Sequence, residues 1–190
     1  MGDVVSSTSA AVDELAVLMA ERGRRSYGEK VTIAEHCLLT AAVARQNGEA
    51  DSFVAACLLH DVGHFLVDPD DDYGVHFHGD IGGDWVAARF GSEVSEPVRL
   101  HIEAKRYLCA TDASYHDELS PASQYTLAKQ GGPMSVEQVE QFLALPHSAS
   151  AVRLRRYEDG KGKRSASVMP ELSDFEMLLT GLEINETASS

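Results

Sequence analysis

The stretch Leu58-Leu59-His60-Asp61-Val62-Gly63-His64 constrains this chain more than any other. An apolar approach, Phe53-Val54-Ala55-Ala56-Cys57-Leu58-Leu59, runs straight into three polar groups that can all bind metal. On a helix, side chains at i and i+4 share a face, so the spacing predicts that His60 and His64 point the same way. Asp61 then sits about a quarter turn round and reaches a second side of the same site. A carboxylate and two imidazoles beside Leu58 and Leu59 are costly to bury unless they are paired or coordinated. An isolated His-Asp pair reads more readily as a half-exposed helix end with a charged pair. Further imidazoles and carboxylates elsewhere in the chain shift that balance.

The chain has 190 residues, enough for one domain with a proper core, and we read 1–190 as a single domain. Residues 1–9 and 185–190 read as frayed ends. A net charge of -14 argues against binding the phosphate backbone of nucleic acid and against anionic membranes. Basic residues gathered at a site would therefore stand out. No apolar run approaches the roughly 20 residues of a transmembrane helix. The opening Met1-Gly2-Asp3-Val4-Val5-Ser6-Ser7 lacks the basic and apolar regions of a signal peptide. Cys37, Cys57 and Cys109 are odd in number and without a CxxC spacing, which reads as reduced core thiols in a cytoplasmic protein.

Helical periodicity recurs along the chain. Ser9 or Asp13 caps a first helix carrying Val12, Leu15 and Met19, which ends near Gly23. Thr32 opens a second through Ile33, His36, Leu39 and Val43 to Asn47-Gly48, with His36 on its apolar face. A third, from Asp51, delivers His60, Asp61 and His64. Residues 67–74 read as a solvated acidic turn, and His78 enters the next helix with Ile81, Trp85 and Phe90. Glu96-Pro97-Val98 is predicted to start a helix carrying His101 and, four residues on, Lys105. Pro121 opens a short helix and Ser135-Val136-Glu137-Gln138 caps another. Val152 to Asp159 and Ser173 to Leu182 complete the set. No segment has a convincing strand period, so the fold class is all-α.

Four helices thus offer ligands: His36, then His60 with Asp61, then His78, then His101, with Glu158 or Asp159 as a further carboxylate. Imidazoles and carboxylates without thiolate in a helical bundle suit iron or manganese better than structural zinc. Five or six ligands exceed what one metal with open positions needs, and Asp61 is the natural bridge between two ions. His116 and His147 lack apolar surroundings and read as surface residues. Lys105, Arg156, Ser123 and Gln130 add cations and donors that suit a phosphate or phosphonate.

The order His…HDxxH…His…His…Asp resembles the HD-domain superfamily, whose members are usually metal-dependent phosphohydrolases. A tighter similarity covers nearly the whole chain. It rests on Gly28-Glu29 before His36, Leu58 to His64, Tyr73-Gly74-Val75, Ala104-Lys105-Arg106-Tyr107-Leu108, Ala113-Ser114-Tyr115, Ala122-Ser123, Gln130-Gly131-Gly132-Pro133-Met134 and Lys161-Gly162-Lys163. Together these resemble the mixed-valence di-iron oxygenases that cleave the carbon–phosphorus bond of 1-hydroxy-2-aminoethylphosphonates. The resemblance implies an HD-domain helical bundle with O2 as co-substrate and two iron ions, Fe(II)/Fe(III). It implies one iron on His36, His60, Asp61 and Asp159, and the other on Asp61, His78 and His101. His64 would hydrogen-bond the substrate rather than the metal. Lys105, Ser123, Gln130 and Arg156 would hold the phosphonate, and Glu29 would meet a cationic substrate end. Alignment without a gap on Lys161-Gly162-Lys163 selects Asp159 and Arg156, and a one-residue shift would select Glu158 and Arg155.

One departure concerns the substrate. The family's tyrosine two places before Gly-Glu is replaced here by Ser26, with Tyr27 one place later. Tyr27 is then a gate over the second iron or a cation contact. The resemblance leaves open a primary amine, giving glycine, or a trimethylammonium, giving glycine betaine. Two rivals stand beside this expectation. One is an HD phosphohydrolase acting on a phosphate ester, which needs no O2. The other is a non-catalytic metal-binding module, against which the cations and donors near the ligands count.

Overall fold

The computed structural model describes residues 9–26, 31–67, 72–160 and 168–184. Among them the regular elements are helices, joined by one isolated bridge between Phe90 and Glu183. Tyr27 and Glu29 lie outside the described residues. The chain begins with α1 (Ala10–Arg22), α2 (Ile33–Gln46), α3 (Asp51–Leu59), α4 (Gly63–Leu66), α5 (Asp72–Ala87) and α6 (Ser92–Thr111). It continues with α7 (Tyr115–Glu118), α8 (Pro121–Lys129), α9 (Val136–Leu143), α10 (Ser148–Asp159) and α11 (Glu176–Leu182).

Side chains fix several helix starts where the sequence places them. Ser9 accepts from the backbone N–H of Val12 and opens α1. Thr32 and Glu35 cap each other's backbone at the start of α2, and Ser135 and Gln138 do the same for α9. Pro121 occupies the first turn of α8, where its missing N–H costs nothing.

Helix α3 is the axis of the bundle. Every residue from Phe53 to Leu59 is buried, which is what a helix apolar on all sides requires. It packs against α2, α6, α10 and α11. Phe65, Phe90, Leu154, Phe175 and Leu179 fill the space around it. A carboxylate and imidazoles at its C-terminal end therefore enter the interior, not the solvent.

Tertiary packing moves other boundaries. The predicted single helix through His60 and His64 is broken after Leu59. The N–H groups of Val62, His64 and Phe65 bond to the carbonyls of Leu59, Asp61 and Val62, a tighter winding of three residues. Pro97 does not start its helix. Helix α6 begins at Ser92, because Val94, Val98, His101, Lys105 and Leu108 form one buried stripe that carries the helix through the proline. Helix α5 already includes Tyr73 and Gly74, and α10 starts four residues before Val152. The last predicted helix is a 3-10 turn, Leu172–Asp174, followed by α11.

Candidate metal centre

Four elements converge at the end of α3. The turn after α3 supplies His60 and Asp61, α2 supplies His36, α5 supplies His78 and α6 supplies His101. Among the described residues, beside a group of the buried Cys37 with His60 and Asp61, two groups of nitrogen and oxygen ligands form there, His36 with His60 and Glu158, and Asp61 with His78 and His101. Asp61 stands between them. Its Oδ2 lies 3.3 Å from Nε2 of His60, while its Oδ1 lies 3.7 Å from Nε2 of His78 and 3.6 Å from Nε2 of His101. The two oxygens of one carboxylate are thus divided between the two groups.

The outer nitrogens of two rings settle their tautomers. Nδ1 of His60 is 2.9 Å from the Cys57 carbonyl, and Nδ1 of His101 is 2.6 Å from the Val98 carbonyl. A carbonyl only accepts, so each Nδ1 carries a proton and, in the neutral ring, Nε2 directs its lone pair at the centre. Nε2 of His78 and Nε2 of His101 are 3.1 Å apart. With two rings held by their backs and the Nε2 atoms of His60, His78 and His101 gathered on one carboxylate, the arrangement fits a cation among them.

Electrostatics point the same way. Burial pushes the His101 imidazole down to about 3, with Asp61 only partly offsetting it. Burial, then His64 and His101, push His78 well below the usual histidine range. Both rings are therefore neutral near pH 7, the form that ligates metal. Burial alone would raise the Asp61 carboxyl, but the surrounding imidazoles, His60 foremost, hold it well below the usual carboxylate range. The donor set is nitrogen and oxygen, with the buried Cys37 also near His60 and Asp61.

A cavity of about 110 Å³ opens beside this centre. Its lining includes His36, Asp61, His64, His78, Lys105, Ser123, Arg155 and Glu158. His64 is buried, stacks on His78 with ring centres 3.9 Å apart, and belongs to neither ligand group. Burial lowers its imidazole too. Lys105 is 3 % exposed, a rare position for an ammonium, and donates to Thr126 Oγ1 at 3.0 Å. Burial first, and then Arg155, push its ammonium down to about 8.

The cavity brings together Lys105, Ser123 and His64 among the expected substrate contacts. It does not include Gln130, which caps the end of α8. It also leaves out Arg156, whose exposed guanidinium reaches Asp112 at 3.4 Å. Arg155 lines the cavity instead and is 3 % exposed. The same one-residue shift applies to the acid. Glu158 joins His36 and His60, whereas Asp159 faces Arg155, with both of its oxygens 2.8 Å from the guanidinium. Of the two alternatives, the geometry brings Glu158 and Arg155 to the cavity and leaves Asp159 and Arg156 off its lining. The cause is helix phase. Ala151, Leu154, Arg155 and Glu158 follow i, i+3, i+4 and i+7, the stripe of α10 that faces inward. That periodicity is readable in the sequence. Thr126, which lines the cavity and holds Lys105, had no comparable signal.

Comparisons with known proteins agree with this architecture. The HD domain family matches residues 33–140. The chain is 39 % identical over 170 residues to the hydroxymethylphosphonate dioxygenase of Gimesia maris, covering 86 % of this chain and 84 % of that protein. It is 38 % identical over 169 residues to the glycine-betaine-forming [1-hydroxy-2-(trimethylamino)ethyl]phosphonate dioxygenase of Leisingera caerulea, covering 86 % of each. An uncharacterised protein of Acanthamoeba polyphaga mimivirus is 31 % identical over 166 residues. The chain belongs to the HD-domain family, in the same group as these two phosphonate dioxygenases.

Proposed function

We propose that this protein is an O2-dependent di-iron enzyme that cleaves the carbon–phosphorus bond of a 1-hydroxyalkylphosphonate, yielding phosphate and the corresponding carboxylic acid. The observation that carries this reading is the Asp61 carboxylate, whose oxygens are shared between two groups of ligands. His36, His60, Asp61 and Glu158 would hold one iron, and Asp61, His78 and His101 the other. A mixed-valence iron pair supplies O2 activation and oxidation at the carbon bearing the hydroxyl, chemistry that side chains alone lack.

The chain's own groups then hold the substrate. Lys105 and Arg155 place two positive charges at the cavity of a protein whose net charge is -14, and Ser123 adds a hydroxyl donor. Charge-assisted bonds from these groups suit phosphonate oxygens. His64, kept neutral by burial, accepts the hydrogen bond of the 1-hydroxyl and turns the carbon it bears toward the metal centre. The relatives differ in what that carbon carries, hydrogen in one and a trimethylaminomethyl group in the other. The shared 1-hydroxyphosphonate unit is therefore the part this reading assigns. Cys37 and Cys57 are buried and in no disulfide, which suits a reducing compartment, and we place the enzyme in the cytoplasm as one domain.

Phosphate release from iron-loaded protein tests the reading. Hydroxymethylphosphonate, 1-hydroxy-2-aminoethylphosphonate and its trimethylammonium analogue are compared with and without O2. Release from at least one, with O2 consumed one for one, is expected. Sustained anaerobic release, or activity restored by Zn²⁺ or Mg²⁺, overturns it in favour of an HD phosphohydrolase.

A further inference from the structure

Arg155 is unusual among the basic residues. Its guanidinium is buried, yet it serves neither as a surface charge nor as a simple ion pair. Nη1 donates to Glu158 Oε1, the carboxylate grouped with His36 and His60. Nε and Nη2 grip Asp159 side-on at 2.8 Å each. The Tyr115 hydroxyl closes the arrangement: it donates to Asp159 Oδ2 and accepts from Arg155 Nε at 3.1 Å. Tyr115 is itself buried and comes from α7, an element that adds little else to the centre. These bonds use Nε and one N–H of each terminal nitrogen. The second N–H of each remains for a ligand in the cavity that Arg155 lines.

We propose that Asp159 and Tyr115 are positioning residues that fix the Arg155 guanidinium for a phosphonate oxygen, and that Asp159 binds no metal. The inference rests on the functional reading above for the identity of the anion. Its physical basis is division of labour between neighbouring carboxylates. A buried guanidinium needs a full counter-charge, and a planar bidentate partner also sets its plane. Asp159 meets both needs. Glu158 then gives Arg155 only one contact and keeps its carboxylate directed at His36 and His60. Tyr115 remains protonated, because burial raises its phenol far above the usual range, so it holds Asp159 in place as a donor.

Two measurements on full-length, iron-loaded protein test this. Bound iron is counted by elemental analysis, and the affinity for hydroxymethylphosphonate is measured by anaerobic calorimetry. Asp159→Asn should keep the wild-type iron content and bind the phosphonate about tenfold more weakly. Tyr115→Phe, which changes no charge, should keep its iron and lose about threefold. Glu158→Gln should lose iron. In turnover, KM should rise in the first two variants while kcat changes little. Loss of iron from Asp159→Asn makes Asp159 a ligand and overturns the proposal. Unchanged or tighter phosphonate binding in Asp159→Asn, as removal of one negative charge alone would give, also overturns it. Should Asp159→Asn fail to fold, Tyr115→Phe decides: unchanged affinity there overturns the proposal. Wild-type protein that binds no hydroxyphosphonate at all refutes the functional reading, a result visible before any variant is made.

Discussion

Gly63→Ala is the sharpest perturbation of the metal centre that touches none of its ligands. A Cβ at Gly63 would stand 2.0 Å from the carbonyl oxygen of His78, with the His78 carbonyl carbon at 2.8 Å and its Cα at 2.9 Å. A carbon and an oxygen rest at about 3.3 Å, so one backbone must retreat by roughly 1.3 Å. No side chain can absorb that shift, because every atom in conflict is main chain. The retreat also has little room: a Cβ at Gly82, on the same face of α5, would lie 3.1 Å from the Gly63 backbone nitrogen. Overpacking of this kind costs about 1–3 kcal/mol. At about 2–4 °C per kcal/mol for a chain of this size, a clear drop in Tm follows. The functional consequence is larger. His78 moves with its backbone, and a misplacement of about 1 Å can cost on the order of a hundredfold in rate. Differential scanning calorimetry and iron analysis of Gly63→Ala are the assays. Bound iron should fall toward one per chain, since the group of Asp61, His78 and His101 loses a member. Wild-type Tm with full iron content would refute the reasoning.

Asp61→Ala should go further and reduce bound iron from about two per chain to one or none, because both groups lose their shared carboxylate. Two retained irons with normal activity would remove the bridge. Lys105 gives a pH dependence whose sign follows from its environment. Its ammonium, pushed down to about 8, is present below that pH and lost above it, so kcat/KM for the phosphonate should fall as pH rises through about 8. Between about 8 and the ordinary lysine value the unfolded chain binds the extra proton, so the cost of burying Lys105, full below about 8, is progressively relieved as pH rises through that window. A kcat/KM profile flat to pH 9.5 would take Lys105 out of anion binding.

The sequence was most legible where local chemistry and packing agree. Ser9, Thr32 and Ser135 cap the helices they were expected to cap, since a side-chain oxygen three residues before an N–H satisfies it whatever the rest of the fold does. The apolar run from Phe53 to Leu59 forms a buried helix, and the His and Asp residues that follow it stand in the interior. Boundaries were less legible. Pro97 marks a helix start by local rules, yet the stripe from Val94 to Leu108 holds α6 together across it. His60 and His64 were expected one turn apart on a single helix. They meet the same carboxylate through a tighter turn, at 3.3 and 3.9 Å from Asp61, so the expected convergence survives although the helix does not.

The choice between neighbouring residues in α10 shows how helix phase separates residues that a motif alone leaves equivalent. Arg155-Arg156-Tyr157-Glu158-Asp159 offers two arginines and two acids with the same internal spacing. Matching the downstream lysines cannot separate them, because one residue gained between helix and lysines leaves both ends intact. Helix geometry can. A step of one residue turns a side chain by about 100° on an α-helix. Arg155 and Glu158 share the inward stripe with Ala151 and Leu154, whereas Arg156 is turned out to Asp112. Asp159 follows Glu158 yet remains within reach of Arg155, one turn back. The second acid thus lies off the cavity lining and meets Arg155 with both of its oxygens. It answers the charge of the one arginine that the helix phase buries at the cavity.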